Sequence, residues 1–303
     1  MQVKKLVKEY GNYLQQAIGV SESTRHQYIH YVQRFLSEIF PDVSQDKLSH
    51  LQPSELIQYV IKQREYYNEP VLKSLLTALR SFLRFLQMKG LCGAGLVKAV
   101  PSLPAWKLSG IPSYLTKEQL DKFLSSFDHK TPTGRRDYAI ALCLARLGLR
   151  RKEVTHITLD DIDWRSGILR ITSSKSRRFS SLPLPKDVGK AIISYLRNGR
   201  PPTEERQLFV CHRHRVGAPL QSTAIGIIIR RQFKRTGMKV PSRGTHILRH
   251  TVATHMVQKG VSIKEVADFL RHRNLDTTVI YTKVNLPMLL EVALPWPKEG
   301  EIT

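Results

Sequence analysis

The 303-residue sequence has few cysteines, few acidic residues and no long apolar run. Its three cysteines, Cys92, Cys143 and Cys211, lie far apart without metal-ligand spacing, which argues against a disulfide scaffold or a zinc site. The sequence contains no apolar stretch of about 18 residues, so no membrane span is predicted. The N-terminal segment from Met1 has no apolar core of the kind found in secretory signals. We therefore expect a cytoplasmic protein with reduced thiols.

The shortage of acidic residues leaves a large positive charge. Lys and Arg number 48 against 25 Asp and Glu, so the formal net charge is +23. Such an excess predicts a polyanionic partner, most often nucleic acid. The charge is uneven, because residues 1–105 carry +5 and residues 106–303 carry +18. The length suits two domains, and the second is expected to hold most of the electrostatic footprint.

Apolar periodicity and turn residues divide the chain into three segments. Residues 1–95 show helical spacing in four stretches, near 6–18, 21–40, 53–66 and 71–88, which predicts a helical domain. Residues 96–113 contain three prolines and no sustained periodicity, which indicates a linker. Residues 114–303 open with a capping box at Thr116 and Gln119 and are expected to form the second domain, with a C-terminal tail at 284–303.

The second domain is predicted to mix helices with a small hairpin. Helical patterns occur near residues 137–147, 187–197 and 222–236. Residues 166–184 change to a strand period around the polar loop 173–178, which carries Lys175 and predicts a β-hairpin. The whole chain is therefore expected to be mainly α.

Residues 246–281 contain the densest set of reactive side chains. A helix is expected from an N-cap at Thr245, with His246, Arg249 and His250 on one face. A second helix, from a capping box at Ser262, should end near His272, and a short third helix should carry Tyr281. This set holds no carboxylate, so it suits an anionic substrate and a phenolic nucleophile.

A further candidate is Arg150, in the run Gly148-Leu-Arg-Arg-Lys-Glu153. Alone, Arg150 and Glu153 would more simply form a surface ion pair three residues apart on a helix. The catalytic interpretation depends on the ordered set that follows in the same domain: Lys175, His246, Arg249, His272 and Tyr281.

These motifs resemble the tyrosine recombinase (phage integrase) family, with a Xer-like arrangement. The resemblance is carried by G-L-R-x-x-E, the hairpin lysine, the run H-x-L-R-H-T-x-A-T-H from His246, L-x-H ending at His272, and T-T-x-x-Y-T around Tyr281. It implies a two-domain clamp on DNA, built from a SAM-like core-binding domain and a mixed α+β catalytic domain.

The resemblance also implies roles for the candidate residues. Arg150 and Arg249 would bind the scissile phosphate, Tyr281 would form a 3′-phosphotyrosyl link, and Lys175 would protonate the departing 5′-oxygen. His246 and His272 would donate hydrogen bonds to the phosphate or move the nucleophile's proton, with Glu153 and His250 orienting the Arg and His groups. The covalent link conserves the energy of the broken bond, so neither a metal, ATP nor another cofactor is expected.

Other basic residues are candidate DNA contacts. They are Arg25, Arg80, Arg84, Arg177, Arg178, Arg243 and Arg271. The sequence departs from the family pattern at Arg271, where glycine is common, and at Lys283, where histidine often follows the threonine. An extra cation at Arg271 is expected to strengthen phosphate binding.

The implied partners are double-stranded recombination sites, with four protomers on two sites, and accessory proteins or sister recombinases. The apolar segment 286–296 could pack on its own domain or on a neighbouring protomer. Integration or transposition of a mobile element is the favoured role. Two alternatives stay open: a type IB topoisomerase-like enzyme that relaxes DNA, and a DNA-binding regulator with the same fold that does not cut.

Overall fold

The chain folds into two units. The computed structural model describes residues 3–40, 48–93, 95–104, 112–172, 179–240, 242–272 and 274–284. Unit 1 is Met1–Lys107 and unit 2 is Leu108–Thr303, a division that falls inside the segment interpreted as a linker. Within the described ranges, no helix is both long enough and apolar enough to cross a membrane.

Unit 1 is helical. Its helices are α1 (Val3–Gln16), α2 (Glu22–Ile39), α3 (Pro53–Tyr66), α4 (Glu69–Met88) and α5 (Leu96–Ala99). Side-chain caps fix two of the starts: Ser21 accepts from the Thr24 amide, and Asn68 accepts from the Val71 amide. The apolar face of α4 is fully buried and, with the buried face of α2, forms most of the core of this unit. The helical domain predicted from the sequence is confirmed.

Unit 2 combines helices with one small sheet. Its helices are α6 (Lys117–Ser125), α7 (Pro132–Arg146), α8 (Arg151–His156), α9 (Lys186–Asn198), α10 (Ser222–Thr236), α11 (Thr245–Gln258), α12 (Ile263–Leu270) and α13 (Asp276–Val279), with 3-10 turns at Leu159–Asp161 and Ile280–Val284. Helix α7 is the centre of the core, since every side chain from residue 139 to 145 is buried.

The predicted hairpin is present as part of a three-stranded antiparallel sheet. Its strands are β1 (Ile162–Asp163), β2 (Ile168–Thr172) and β3 (Phe179–Pro183), in the order β1-β2-β3. Leu169 pairs with Leu182 and both are buried, so the register follows from burying the apolar face. The loop 173–178, with Lys175, Arg177 and Arg178, lies outside the described residues.

Two local predictions for the C-terminal helices need correction. Helix α11 begins at Thr245 itself, and its N-cap is Gly244, whose backbone is extended. Helix α11 is buried on several faces, because α7, α12 and the last 3-10 turn all pack on it. The third helix is two elements, α13 and the 3-10 turn that carries Tyr281.

Candidate active site

The end of α7 and the start of α8 place Arg150 next to α11 and α12. Gly148 takes φ 58°, a left-handed conformation that favours glycine, and an added Cβ there would lie 2.7 Å from Cδ2 of Leu270. This close approach brings the α7–α8 turn against the end of α12. The N-cap of α8 is Arg150, whose side chain is 41% exposed and can therefore reach a ligand.

Arg249 is the buried cation of the site. The residue is 5% exposed, and its guanidinium donates hydrogen bonds to the main-chain carbonyls of Gly148 and Leu270. Burial, reinforced by the nearby charge of Arg150, lowers the pKa of Arg249 to about 9, which still leaves it protonated at neutral pH. The two carbonyl contacts join α11 to the α7–α8 turn and to the end of α12, so Arg249 fixes the geometry of three elements.

Glu153 is a buried carboxylate between two arginines. Its Oε1 accepts from Nη1 of Arg150 at 2.8 Å, and its Oε2 accepts from the Arg150 amide at 2.9 Å and from Nη2 of Arg271 at 3.0 Å. Burial alone would raise the pKa of Glu153, but Arg271 and Arg150 hold it below its usual value. The carboxylate is thus ionised and orients the guanidinium of Arg150.

Tyr281 is enclosed, and its hydroxyl contacts a histidine. The residue is 2% exposed and packs in an apolar cluster with Ala253, Val257 and Leu270. Its hydroxyl oxygen lies 2.6 Å from Nδ1 of His250, within hydrogen-bonding distance. Burial raises the pKa of the hydroxyl to about 12, against a smaller opposing effect of Arg249. The phenol is therefore protonated in this conformation.

The site histidines are neutral. Burial, followed by the charges of Arg249 and Arg150, lowers the pKa of His272 to about 4. Burial also lowers the pKa of His246 and of His250, again with the charge of Arg249 contributing. Nδ1 of His272 is hydrogen-bonded to Oγ1 of Thr278 at 2.6 Å. The positive charge of the described site consequently comes from its arginines, and the imidazoles can accept or donate single hydrogen bonds.

Eight of the residues proposed from the sequence lie together in unit 2. They are Arg150, Glu153, His246, Arg249, His250, Arg271, His272 and Tyr281. His250 was expected to act behind the Arg and His groups, but it contacts the Tyr281 hydroxyl itself. Arg271 was expected to face DNA, but its side chain is 10% exposed and paired with Glu153, because the end of α12 turns it inward.

The remaining basic candidates lie elsewhere. Arg243 is exposed just before α11. In unit 1, Arg84 is exposed, Arg25 donates to Gln15 at 2.6 Å, and Arg80 donates to the carbonyls of residues 100 and 101. The tail 286–296 is outside the described residues.

Thr278 is a site residue that sequence reasoning missed, although the T-T-x-x-Y run placed it one helical turn before Tyr281.

In the described part of the chain, no three His, Cys, Asp or Glu side chains form a group suited to a metal ion. The cationic set around Arg150 and Arg249 instead suits a phosphate, since guanidinium groups match phosphate oxygens in geometry and charge.

Family models match both units. The model described as "Phage integrase family" matches residues 113–286, and the one described as "Phage integrase, N-terminal SAM-like domain" matches residues 7–90. The confirmed fold class, mainly helical with a small antiparallel sheet, agrees with both matches.

Two curated proteins and one solved structure illustrate the similarity. The chain is 40% identical to the putative integrase/recombinase y4rA of Sinorhizobium fredii (strain NBRC 101917 / NGR234), over 99% of this chain and 72% of that protein. It is 29% identical to the tyrosine recombinase XerA of Thermococcus onnurineus (strain NA1), over 95% and 93% of the two chains. The XerH recombinase bound to a palindromic difH substrate has a similar fold, with a TM-score of 0.73 and 18% identity over 96% of this chain and 85% of that one.

Proposed function

The chain belongs to the phage integrase family of tyrosine recombinases, and we propose on that premise that Tyr281 cleaves DNA at specific sites and holds the cut strand as a 3′-phosphotyrosyl intermediate. One observation supports this choice of nucleophile above the others. The Tyr281 hydroxyl is within hydrogen-bonding distance of His250, and the charge of Arg249 acts on it. Arg150, the second arginine of the site, is exposed to solvent.

In the proposed cleavage step, the Tyr281 oxygen forms a bond to phosphorus and the bond from phosphorus to the 5′-oxygen breaks. The phenolic proton passes to Nδ1 of His250, which is unprotonated when the neutral ring carries its proton on Nε2. Lys175 supplies a proton to the leaving 5′-oxygen, a role that rests on the family resemblance. Rejoining reverses these transfers, so the cycle conserves the phosphodiester energy.

The two arginines are proposed to stabilise the charge on the non-bridging oxygens. Arg150 is exposed enough to meet the phosphate directly, and Glu153 holds its guanidinium in a fixed orientation. Arg249 is already bound to two carbonyls, so it contributes a pre-set positive field close to Tyr281. His246 and His272 are proposed to complete the phosphate-binding site as neutral hydrogen-bond donors.

The match of residues 7–90 to the SAM-like domain supports recombination over DNA relaxation by a topoisomerase-like enzyme, whose catalytic set usually accompanies a different N-terminal half. The assembled set around Tyr281 supports a cutting enzyme over a regulator that only binds. Similarity to a protein named a putative integrase/recombinase supports a role in the integration or transposition of a mobile element. The enzyme is proposed to act on double-stranded sites in the cytoplasm.

The test uses nicked duplexes drawn from the DNA that flanks the gene, with excess chelator present. We expect an SDS-resistant protein–DNA adduct from the wild-type protein and none from Tyr281→Phe, which keeps the ring and removes the hydroxyl. The matched control is Tyr195→Phe, a buried tyrosine of the same unit that lies outside the site. Specific binding without any adduct would support the regulator, and relaxation of supercoiled DNA without site preference would support the topoisomerase-like enzyme.

Four protomers are proposed to act on two DNA sites, with the apolar segment 286–296 joining neighbours. The proposal rests on the family resemblance and on the composition of that segment. Light scattering of the protein with two-site DNA should give four protomers per complex for the full chain and fewer after truncation behind residue 284. Equal stoichiometry for both forms would assign the segment to its own protomer.

A further inference from the structure

Arg271 has a left-handed backbone conformation, which is unfavourable for a residue that carries a side chain. It caps the end of α12 with φ 58° and ψ 45°, and among the described residues only His214 shares a positive φ without being glycine. A Cβ is disfavoured in this left-handed region, whereas glycine, which is common at this place in the family, adopts it freely. Strain of this kind persists where the surroundings hold the residue in place, and it often accompanies function.

The Arg271 side chain is buried and directed at the site. Nη2 donates to Oε2 of Glu153 at 3.0 Å, and Nη1 donates to the Phe269 carbonyl at 2.9 Å. Nε is buried without a hydrogen-bond partner in the described part of the chain. The side chain is 10% exposed, so the charge is withdrawn from solvent and satisfied chiefly by one carboxylate.

That carboxylate also holds Arg150. Glu153 accepts the Arg150 side chain on Oε1, while Oε2 is shared between the Arg150 amide and Arg271. Rotation of the carboxylate would break both hydrogen bonds to Oε2, the one from the Arg150 amide and the one from Arg271. The position of the Arg150 guanidinium therefore depends on Arg271 through Glu153.

We propose that Arg271 is a positioning residue for cleavage, which fixes Glu153 and through it aligns Arg150 with the scissile phosphate. This inference rests on the proposed function. It differs from the sequence expectation of an added DNA contact, because the guanidinium acts on a carboxylate of the protein and not on the backbone of DNA.

The experiment compares Arg271→Gly and Arg271→Asn with the wild-type protein. Both replacements accept a left-handed backbone, so neither adds strain, and both lose the contact with Glu153. We expect the single-turnover rate of adduct formation to fall about tenfold to a hundredfold, the loss typical of a misaligned catalytic group. The Kd for site DNA should change less than about threefold, because no phosphate contact is removed.

Two further variants separate positioning from general damage. His214→Gly relieves the other left-handed non-glycine residue and should leave the cleavage rate unchanged. Glu153→Gln should slow cleavage as Arg271→Gly does, and the double variant should be no slower than the slower single variant, because both changes interrupt one connection.

The outcomes either support or overturn the proposal. An unchanged cleavage rate in both Arg271 variants overturns it, as does additive loss in the double variant. A rise in Kd with a smaller salt dependence and normal cleavage assigns Arg271 to DNA binding instead. If the wild-type protein forms no adduct, the proposed function itself has failed. An adduct formed equally by wild type and Arg271 variants removes this inference alone.

Discussion

Replacing His250 by asparagine separates holding Tyr281 from taking its proton. The Nδ1 atom of His250 lies 2.6 Å from the Tyr281 hydroxyl oxygen. The amide oxygen of asparagine can occupy roughly the place of Nδ1 and accept the same hydrogen bond, but it cannot be protonated near neutral pH. His250→Asn therefore keeps the contact and removes the proposed proton acceptor.

The two effects have different magnitudes. Loss of a positioned proton acceptor costs about 10²–10⁴-fold in rate, or roughly 3–5 kcal/mol in the activation free energy. The free energy of unfolding should change by less than about 1 kcal/mol in His250→Asn, since one neutral hydrogen bond replaces another. His250→Ala should lose about 1–3 kcal/mol of that free energy, because it leaves the buried hydroxyl without a partner.

The assay is single-turnover adduct formation on nicked DNA, measured from pH 5.5 to pH 8.5. Burial lowers the pKa of His250, and the charge of Arg249 lowers it further, so the wild-type rate should be flat near neutral pH and fall only on the acidic side. His255→Asn is the matched control, because His255 lies on the same helix but contacts Tyr114 rather than Tyr281. A His250→Asn rate within about threefold of wild type would refute the proton-acceptor role.

Three further predictions follow from the same geometry. Arg249→Lys should slow adduct formation about 10²–10³-fold in single-turnover kinetics, because lysine cannot bind the carbonyls of Gly148 and Leu270 together while keeping its charge in place; a normal rate would contradict this. Gly148→Ala should lower the free energy of unfolding by at least about 1–2 kcal/mol in urea titrations, because it combines a left-handed backbone with a Cβ 2.7 Å from Leu270. The pKa of His272 is lowered from 6.5 to about 4, so the unfolded chain takes up this proton first as pH falls, and stability should drop by up to about 3 kcal/mol between pH 6.5 and pH 4. His272→Gln should flatten that part of the urea-measured pH profile, and an unchanged profile would assign the loss to other groups.

Sequence patterns predicted the elements because the elements depend on local chemistry. Helix α10 has the predicted bounds, Ser222–Thr236, since Gly237 ends it in a left-handed conformation. Helix α12 begins where the capping box at Ser262 and Glu265 predicted. The hairpin followed from the change of period before Lys175.

The contacts within the site could not be predicted in the same way, because they join residues far apart in the chain. The hydrogen bond from Arg249 to the Gly148 carbonyl spans 101 positions, and the one from Arg271 to Glu153 spans 118. Helical spacing placed His246, Arg249 and His250 near one another but could not tell which one meets Tyr281. Arg271 was interpreted as a DNA contact because the residue type shows the charge of the side chain but not where it points. The left-handed backbone at the end of α12 turns the side chain inward.

The central claim is that Tyr281 becomes covalently joined to a DNA 3′ end. Its most direct test is mass spectrometry of the trapped adduct after digestion with nuclease and protease. The account predicts a peptide containing residue 281 that carries a nucleotide through a 3′-phosphate on the tyrosine, together with a released strand that has a free 5′-hydroxyl. A nucleotide on any other residue, or a link through the 5′ end of the DNA, would contradict it.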